Sequence, residues 1–171
     1  MSYIYVCGGA SSGKSRFALT CFQGREDVSF IATAVVTDSD MERRIKAHKS
    51  QRPKGWSTVE EPIDLIRAVK NTKKESKGII IDCLTFWVSN LIYHRSFDHQ
   101  KILKRAEETA AFLCGSEKEI IVVTNELGMG IIPASKESRS FQKVCGEVNQ
   151  VFAQKSVKAF FILSGMPIKI K

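Results

Sequence analysis

The sequence has 171 residues, 43% of them hydrophobic and 26% charged, proportions that exclude a disordered tail and suit one domain with a sizeable core, read here as a single unit over 1–171. Lysine and arginine total 26 against 18 aspartates and glutamates, and the resulting +8 favours polyanionic partners such as nucleic acid, a membrane surface or a nucleotide. No apolar run approaches the ~18–20 residues of a membrane span, and Met1-Ser2-Tyr3 leads into an apolar segment with none of the basic start of a signal peptide.

In chain order, Tyr3 to Cys7 reads as a buried strand followed by a glycine-rich turn, and Ser15 to Phe22 as a helix. Further strands are expected at Val28–Ala32, Gly78–Asp82, Glu119–Thr124 and Ala159–Leu163. Helices are expected at Asp40–Gln51, Pro62–Asn71, Thr85–Tyr93, Asp98–Leu113 and Ser138–Lys155. Continuous apolar strands alternating with helices predict an α/β fold, a mostly parallel sheet with helices on both faces. Such sheets bind ligands outside the carboxyl ends of their strands. The charged stretch Asn71–Lys77 reads as a surface loop, not a domain boundary. The five cysteines, Cys7, Cys21, Cys83, Cys114 and Cys145, are odd in number and form no CxxC pair, which predicts thiols in a reducing cytoplasm and no metal cluster.

Residues 8–15, Gly8-Gly9-Ala10-Ser11-Ser12-Gly13-Lys14-Ser15, fit the phosphate-loop pattern GxxxxGK[ST] at every fixed position, between a strand and a helix. Its glycines let backbone N–H groups face a phosphate, with the helix N-terminus adding positive potential. Lys14 can reach the β- and γ-phosphates and Ser15 can ligate Mg²⁺. Asp82, at the end of a buried strand, is the expected carboxylate partner for that ion, the bland alternative being a cap for the helix after it. The guanine-selecting NKxD pattern is absent, because no lysine follows Asn125.

The segment 38–56 carries the local basic group Arg43, Arg44, Lys46, Lys49, Arg52 and Lys54. Ser39 and Glu42 fit a capping box, and Pro53 is expected to end the helix. Met41, Ile45 and His48 share one face, so spacing alone also fits a histidine packed on an apolar stripe. Among Arg44, Lys49 and Arg52, a neutral imidazole suits attack on a phosphate, since the cations screen phosphate charge and favour the free base. Attack on phosphorus gives a phosphoramidate. The same cations also fit a solvated surface, and no RNA-recognition, zinc-finger or basic-zipper pattern supports nucleic acid.

Taken together, these blocks resemble the bifunctional adenosylcobinamide kinase / adenosylcobinamide-phosphate guanylyltransferase family of cobalamin biosynthesis. The resemblance spans almost the whole chain. It runs through the loop 8–15, Ile31-Ala32-Thr33-Ala34, Met41…Arg44-Ile45…His48…Arg52-Pro53…Trp56…Thr58…Glu60 and Asp82-Cys83-Leu84-Thr85…Trp87…Ser89-Asn90-Leu91. It continues in Thr124-Asn125-Glu126…Gly128-Met129-Gly130-Ile131…Pro133, Arg139…Phe141…Gly146…Asn149-Gln150…Ala153 and Gly165-Met166-Pro167. Ser11 stands where the family usually has arginine.

The resemblance implies a RecA-like P-loop NTPase fold, a homotrimer and two reactions. A nucleoside triphosphate, ATP or GTP, phosphorylates adenosylcobinamide. GTP then guanylylates a histidine, and GMP passes to the adenosylcobinamide phosphate. By the same matching the guanylylated histidine falls on His48, and nucleotide contacts fall on residues 8–15, on Ala32, Thr33 and Ala34, on Lys49, Ser50, Gln51 and Arg52, on Glu60 and on Asp82. The alternatives are a kinase in which His48 is structural and an ATP-driven nucleic-acid-binding module. Trp56 is a candidate for a corrinoid pocket. His94 and His99 read as surface residues. Glu126 can polarise a hydroxyl or anchor the glycine loop after it, and Asn149 and Gln150 can face the site or make caps and interface contacts.

Overall fold

The computed structural model describes residues 3–171, so Met1 and Ser2, the start of the N-terminal reading, lie outside the described residues. The strands are β1 (Ile4–Gly8), β2 (Val28–Ala32), β3 (Ser57–Glu60), β4 (Gly78–Asp82), β5 (Glu119–Val123), β6 (Lys158–Leu163) and β7 (Met166–Lys169). The helices are α1 (Lys14–Thr20), α2 (Ser39–Ser50), α3 (Leu65–Lys70), α4 (Leu84–Arg95), α5 (His99–Cys114) and α6 (Lys136–Lys155). The strands form one seven-stranded sheet in the order β3-β2-β4-β5-β1-β6-β7, parallel throughout except for the antiparallel β6–β7 pair. No described helix is long and apolar enough to cross a membrane.

Strand side chains alternate between the two faces, so each continuous apolar run feeds two cores. Tyr3, Tyr5 and Cys7 join Ile79 and Ile81, Ile120 and Val122 in a large core with α3, α4, α5 and α6. Val6, Ile80, Ile121 and Val123 face the other way, onto Ala18 of α1, Phe22 and Trp56. Trp87 of α4 is fully buried, packs edge-on against Phe152 and donates its indole N–H to the Ile63 carbonyl at 2.7 Å.

The expected elements are present with shifted ends. The capping box at Ser39 and Glu42 is replaced by a one-residue-earlier cap: the Asp38 carboxylate accepts from the Met41 N–H at 2.8 Å, while Glu42 pairs with Lys46 one turn on. A carboxylate there also meets the positive end of the helix dipole. The helix expected from Pro62 begins at Leu65, because the Glu61 carboxylate holds the Ile63 and Asp64 N–H groups and Asp64 then caps Arg67. Two strands were not expected. β3 is a short polar edge strand beside β2, and β7 carries Pro167 on an exposed edge where the missing N–H is tolerated. Ser164 and Gly165, with φ of 51° and 83°, make the tight two-residue turn between β6 and β7.

Candidate nucleotide site and the histidine helix

Four parallel strands, β2, β4, β5 and β1, end side by side at one edge of the sheet. The loop after β1 is built around its glycines. Gly8 has φ 152°, and a Cβ there would stand 2.5 Å from the Ile162 carbonyl oxygen of β6. Gly13, φ 99°, is the residue from which α1 springs, its carbonyl accepting from the Phe17 N–H at 2.9 Å. Ser11 also has a positive φ of 56°. Lys14 is 7% exposed and donates its ammonium to the Gly9 carbonyl, folding back over the loop. Burial lowers its pKa, against the opposing pull of Cys83, Asp82 and Cys7.

Ser15 Oγ donates to Asp82 Oδ2 at 2.8 Å, which ties the start of α1 to the end of β4. Burial pushes the Asp82 carboxyl up from its usual range, opposed by the Ser15 hydroxyl and by the positive fields of His48, Lys14 and Arg52. The cap of α4 is Cys83, not Asp82, so the capping alternative for Asp82 is set aside. Burial raises the Cys83 thiol to about 12, with the neighbouring Asp82 charge adding to the effect.

These groups open on a cavity of about 610 Å³. Ala10, Ser11, Ser12, Gly13, Lys14 and Ser15 line one side, with Ala32, Ala34, Glu60 and Asp82 from the strand ends. α2 supplies the opposite wall through Met41, Arg44, Ile45, His48 and Lys49, followed by Gln51 and Arg52. None of the residues of α2 is buried, so His48 is not a core histidine: it is exposed on a helix whose inner face borders the cavity. After α2 the chain turns back, and Arg52 lays its guanidinium 3.8 Å from the centre of the Phe30 ring and donates to Thr58 Oγ1 at 3.1 Å. Lys49 pairs with Glu60 at 3.4 Å. Among the described residues, Ser12 Oγ and Arg52 Nε are buried without a hydrogen-bond partner. Both belong to residues of the cavity wall.

Several expected residues stand elsewhere. Gly8 and Gly9 shape the loop from behind and do not line the cavity, nor do Thr33 and Ser50. Thr33 is fully buried, its hydroxyl donating to the Cys83 carbonyl and accepting from the Cys83 N–H, both at 2.8 Å. Ser50 is exposed and turns its hydroxyl onto the Ala47 carbonyl. Trp56 is 8% exposed, edge-on to Phe22, with its indole N–H on the Arg25 carbonyl at 2.7 Å, so it belongs to the core and not to a corrinoid pocket. His99 is no free surface residue: its Nε2 lies 2.6 Å from Glu147 Oε2 and joins α5 to α6. Glu126 anchors its loop through the Gly128 N–H at 2.7 Å. Asn149 is buried against the end of β5, whereas Gln150 is exposed. Asn125, which the sequence reading names only for the missing lysine after it and within a family block, and Phe86, which it does not name, also line the cavity.

The metal question turns on the donor set. No group of three or more His, Cys, Asp or Glu suited to a metal is found among the described residues. A hydroxyl and a carboxylate 2.8 Å apart are nonetheless hard oxygen donors of the kind Mg²⁺ takes when phosphates and water complete its shell, so Ser15 and Asp82 fit that ion.

The cobinamide kinase / cobinamide phosphate guanyltransferase family matches residues 4–170. A bifunctional adenosylcobalamin biosynthesis protein CobP of Pseudomonas aeruginosa is 35% identical over 168 residues, covering 97% of this chain and 95% of that protein. The bifunctional adenosylcobalamin biosynthesis proteins CobU of Escherichia coli and Salmonella typhimurium are 32% and 31% identical, each over 179 aligned positions and 98% of this chain. A phosphate loop, a strand-end carboxylate and a histidine helix on one cavity are thus found in a chain that matches from end to end: it belongs to the cobinamide kinase / cobinamide phosphate guanyltransferase family and is a bifunctional transferase.

Proposed function

We propose that both steps use the cavity between the phosphate loop and α2, with adenosylcobinamide and its phosphate as acceptors in cobalamin biosynthesis. In the kinase step the loop amides and Lys14 hold the β- and γ-phosphates of ATP or GTP and offset the charge that spreads over the transferred phosphoryl group. Ser15 and Asp82 hold Mg²⁺, which when bound neutralises phosphate charge. The acceptor hydroxyl of adenosylcobinamide attacks the γ-phosphorus, the nucleoside diphosphate leaves, and the hydroxyl proton passes to solvent or base.

In the transferase step a His48 ring nitrogen attacks the α-phosphorus of GTP. A P–N bond forms, the bond to the bridging oxygen breaks and pyrophosphate leaves. A phosphate oxygen of adenosylcobinamide phosphate then displaces the imidazole, giving adenosylcobinamide-GDP and free His48. Arg44, Lys49 and Arg52 counter the phosphate charge during both displacements. Splitting the transfer in two lets one imidazole serve two large substrates in turn.

The observation that carries this reading is the shared cavity: exposed His48 on α2 borders the same 610 Å³ space as Lys14, Ser15 and Asp82. It also gives three of the six basic residues a role without nucleic acid, since Arg44, Lys49 and Arg52 line that space, while Arg43 and Lys46 pair with Asp40 and Glu42 on α2 itself. A trimeric assembly and a cytoplasmic setting complete the proposal. The first rests on the family resemblance, and the second on free thiols at Cys7, Cys83 and Cys145.

The test is incubation with GTP labelled at the α-phosphate, followed by denaturing precipitation. The proposal requires an acid-labile, base-stable protein label that His48→Ala abolishes while phosphorylation of cobinamide continues. A wild-type enzyme that phosphorylates cobinamide but takes no label would leave a kinase alone.

A further inference from the structure

β5 lies between β1 and β4 in the sheet, so whatever follows β5 stands between the phosphate loop and Asp82. Asp82 is in register with Val123, and Asn125 comes two residues further toward the cavity mouth. There the main chain is fastened on every side. Thr124 donates its N–H to the Val6 carbonyl at 3.0 Å, and Glu126 donates its N–H to the Gly8 carbonyl at 2.9 Å, which bonds this segment to the strand and loop that hold the phosphates.

Both main-chain groups of Asn125 are themselves held by side chains. Its N–H donates to Thr85 Oγ1 at 3.0 Å, and its carbonyl accepts from Asn149 Nδ2 at 3.0 Å. Asn149, 5% exposed, also accepts from Thr124 Oγ1 at 2.9 Å, so one buried amide from α6 secures two consecutive residues. The Asn125 side chain is left to the cavity, which it lines, with a long 4.0 Å contact from Nδ2 to Cys83 Sγ, a weak acceptor.

We infer that Asn125 binds the terminal phosphoryl group of the nucleoside triphosphate and is the residue by which the site tells a triphosphate from a diphosphate, with Asn149 and Thr85 as its positioning residues. Asn125 follows β5, which lies between β1, the strand before the phosphate loop, and β4, the strand that ends at Asp82, and all three parts border one cavity; its amide can donate to a phosphoryl oxygen without adding negative charge. A carboxylate of the same shape would repel that group. The main-chain anchors do not use the Asn125 side chain, so truncating it leaves them in place.

This inference rests on the reading that the nucleotide occupies this cavity, and the experiment keeps the two apart. Dissociation constants of GTP and GDP with Mg²⁺ are measured in a His48→Ala background, which cannot take GMP, for the otherwise wild-type site, Asn125→Ala, Asn125→Asp and Lys14→Ala. The expected result is that Asn125→Ala weakens GTP about tenfold or more with GDP nearly unchanged, that Asn125→Asp weakens GTP further still, and that Lys14→Ala weakens both. Equal loss of GTP and GDP in Asn125→Ala, or no loss in either Asn125 variant, overturns the inference while leaving the cavity reading intact. If Lys14→Ala binds both nucleotides like wild type, the cavity reading falls and this inference with it. Asn125→Asp is isosteric, so a folding defect in Asn125→Ala alone leaves the comparison available.

Discussion

The hydroxyl of Ser15 and the carboxylate of Asp82 are joined across 2.8 Å although they lie 67 residues apart in sequence. That bond ties the first turn after the phosphate loop to the end of β4 and places two oxygen donors at the cavity floor. Burial raises the Asp82 pKa from its ordinary 3.8, so the folded chain holds that proton more tightly than the unfolded chain does. Stability is then highest at low pH for this group and falls as pH rises from 3.8 through the raised value.

Asp82→Asn therefore separates stability from activity. It removes the growing cost of ionising a buried carboxyl as pH rises and is expected to raise Tm by roughly 2–4 °C at pH 8, the range that ~1 kcal/mol covers in a chain of this size. Phosphorylation of cobinamide is expected to fall by about a hundredfold, the scale of losing one preorganised charge-stabilising group. Thermal melts at pH 5 and pH 8 check the linkage, since the gain in Tm should be larger at the higher pH.

Gly8→Ala tests the loop from behind. The added methyl would meet the Ile162 carbonyl oxygen at 2.5 Å, which is backbone of β6, held between β1 and β7, and Gly8 also holds φ 152°. The Ser12 hydroxyl, 2.9 Å away, can rotate aside, but the Ile162 backbone oxygen cannot. The expected cost is about 1–3 kcal/mol of stability, with nucleotide affinity falling because the loop amides shift. Denaturant unfolding with and without GTP measures both.

Trp56→Ala distinguishes a core tryptophan from a substrate-contacting one. With its ring edge-on to Phe22 and its indole N–H on the Arg25 carbonyl, truncation is expected to cost about 3–5 kcal/mol. The KM for cobinamide of the remaining folded enzyme is expected to stay within twofold of wild type. A KM rise of tenfold at unchanged kcat would return Trp56 to the corrinoid site.

Much of this was legible before any coordinates, and for physical reasons. GxxxxGK[ST] is constrained at each position by the need to wrap a phosphate, so residues 8–15 announced themselves. Buried parallel strands read as unbroken apolar runs, which made β1, β2, β4, β5 and β6 plain. Edge strands lack that signature: Ser57–Glu60 is polar, and Met166–Lys169 contains a proline. The partners of His99 and Trp56 come from residues 48 and 31 positions away, which spacing along the chain does not encode. Thr33 adjoins the site in sequence, yet its hydroxyl turns inward to the Cys83 main chain, a choice made by the packing of β2 against β4. Asn125 carries no assigned role in the sequence reading because one neutral amide after a strand has no pattern of its own. Only the fold, with β5 between β1 and β4, brings it to the cavity wall.

The account depends most on His48 carrying GMP. Tandem mass spectrometry of protein incubated with GTP and Mg²⁺, digested under mildly alkaline conditions that preserve phosphoramidates, localises the adduct directly. One GMP on the peptide containing His48, lost when cobinamide phosphate is added, is the predicted result. A GMP adduct on another residue, or none while guanylylated cobinamide still accumulates, would contradict it.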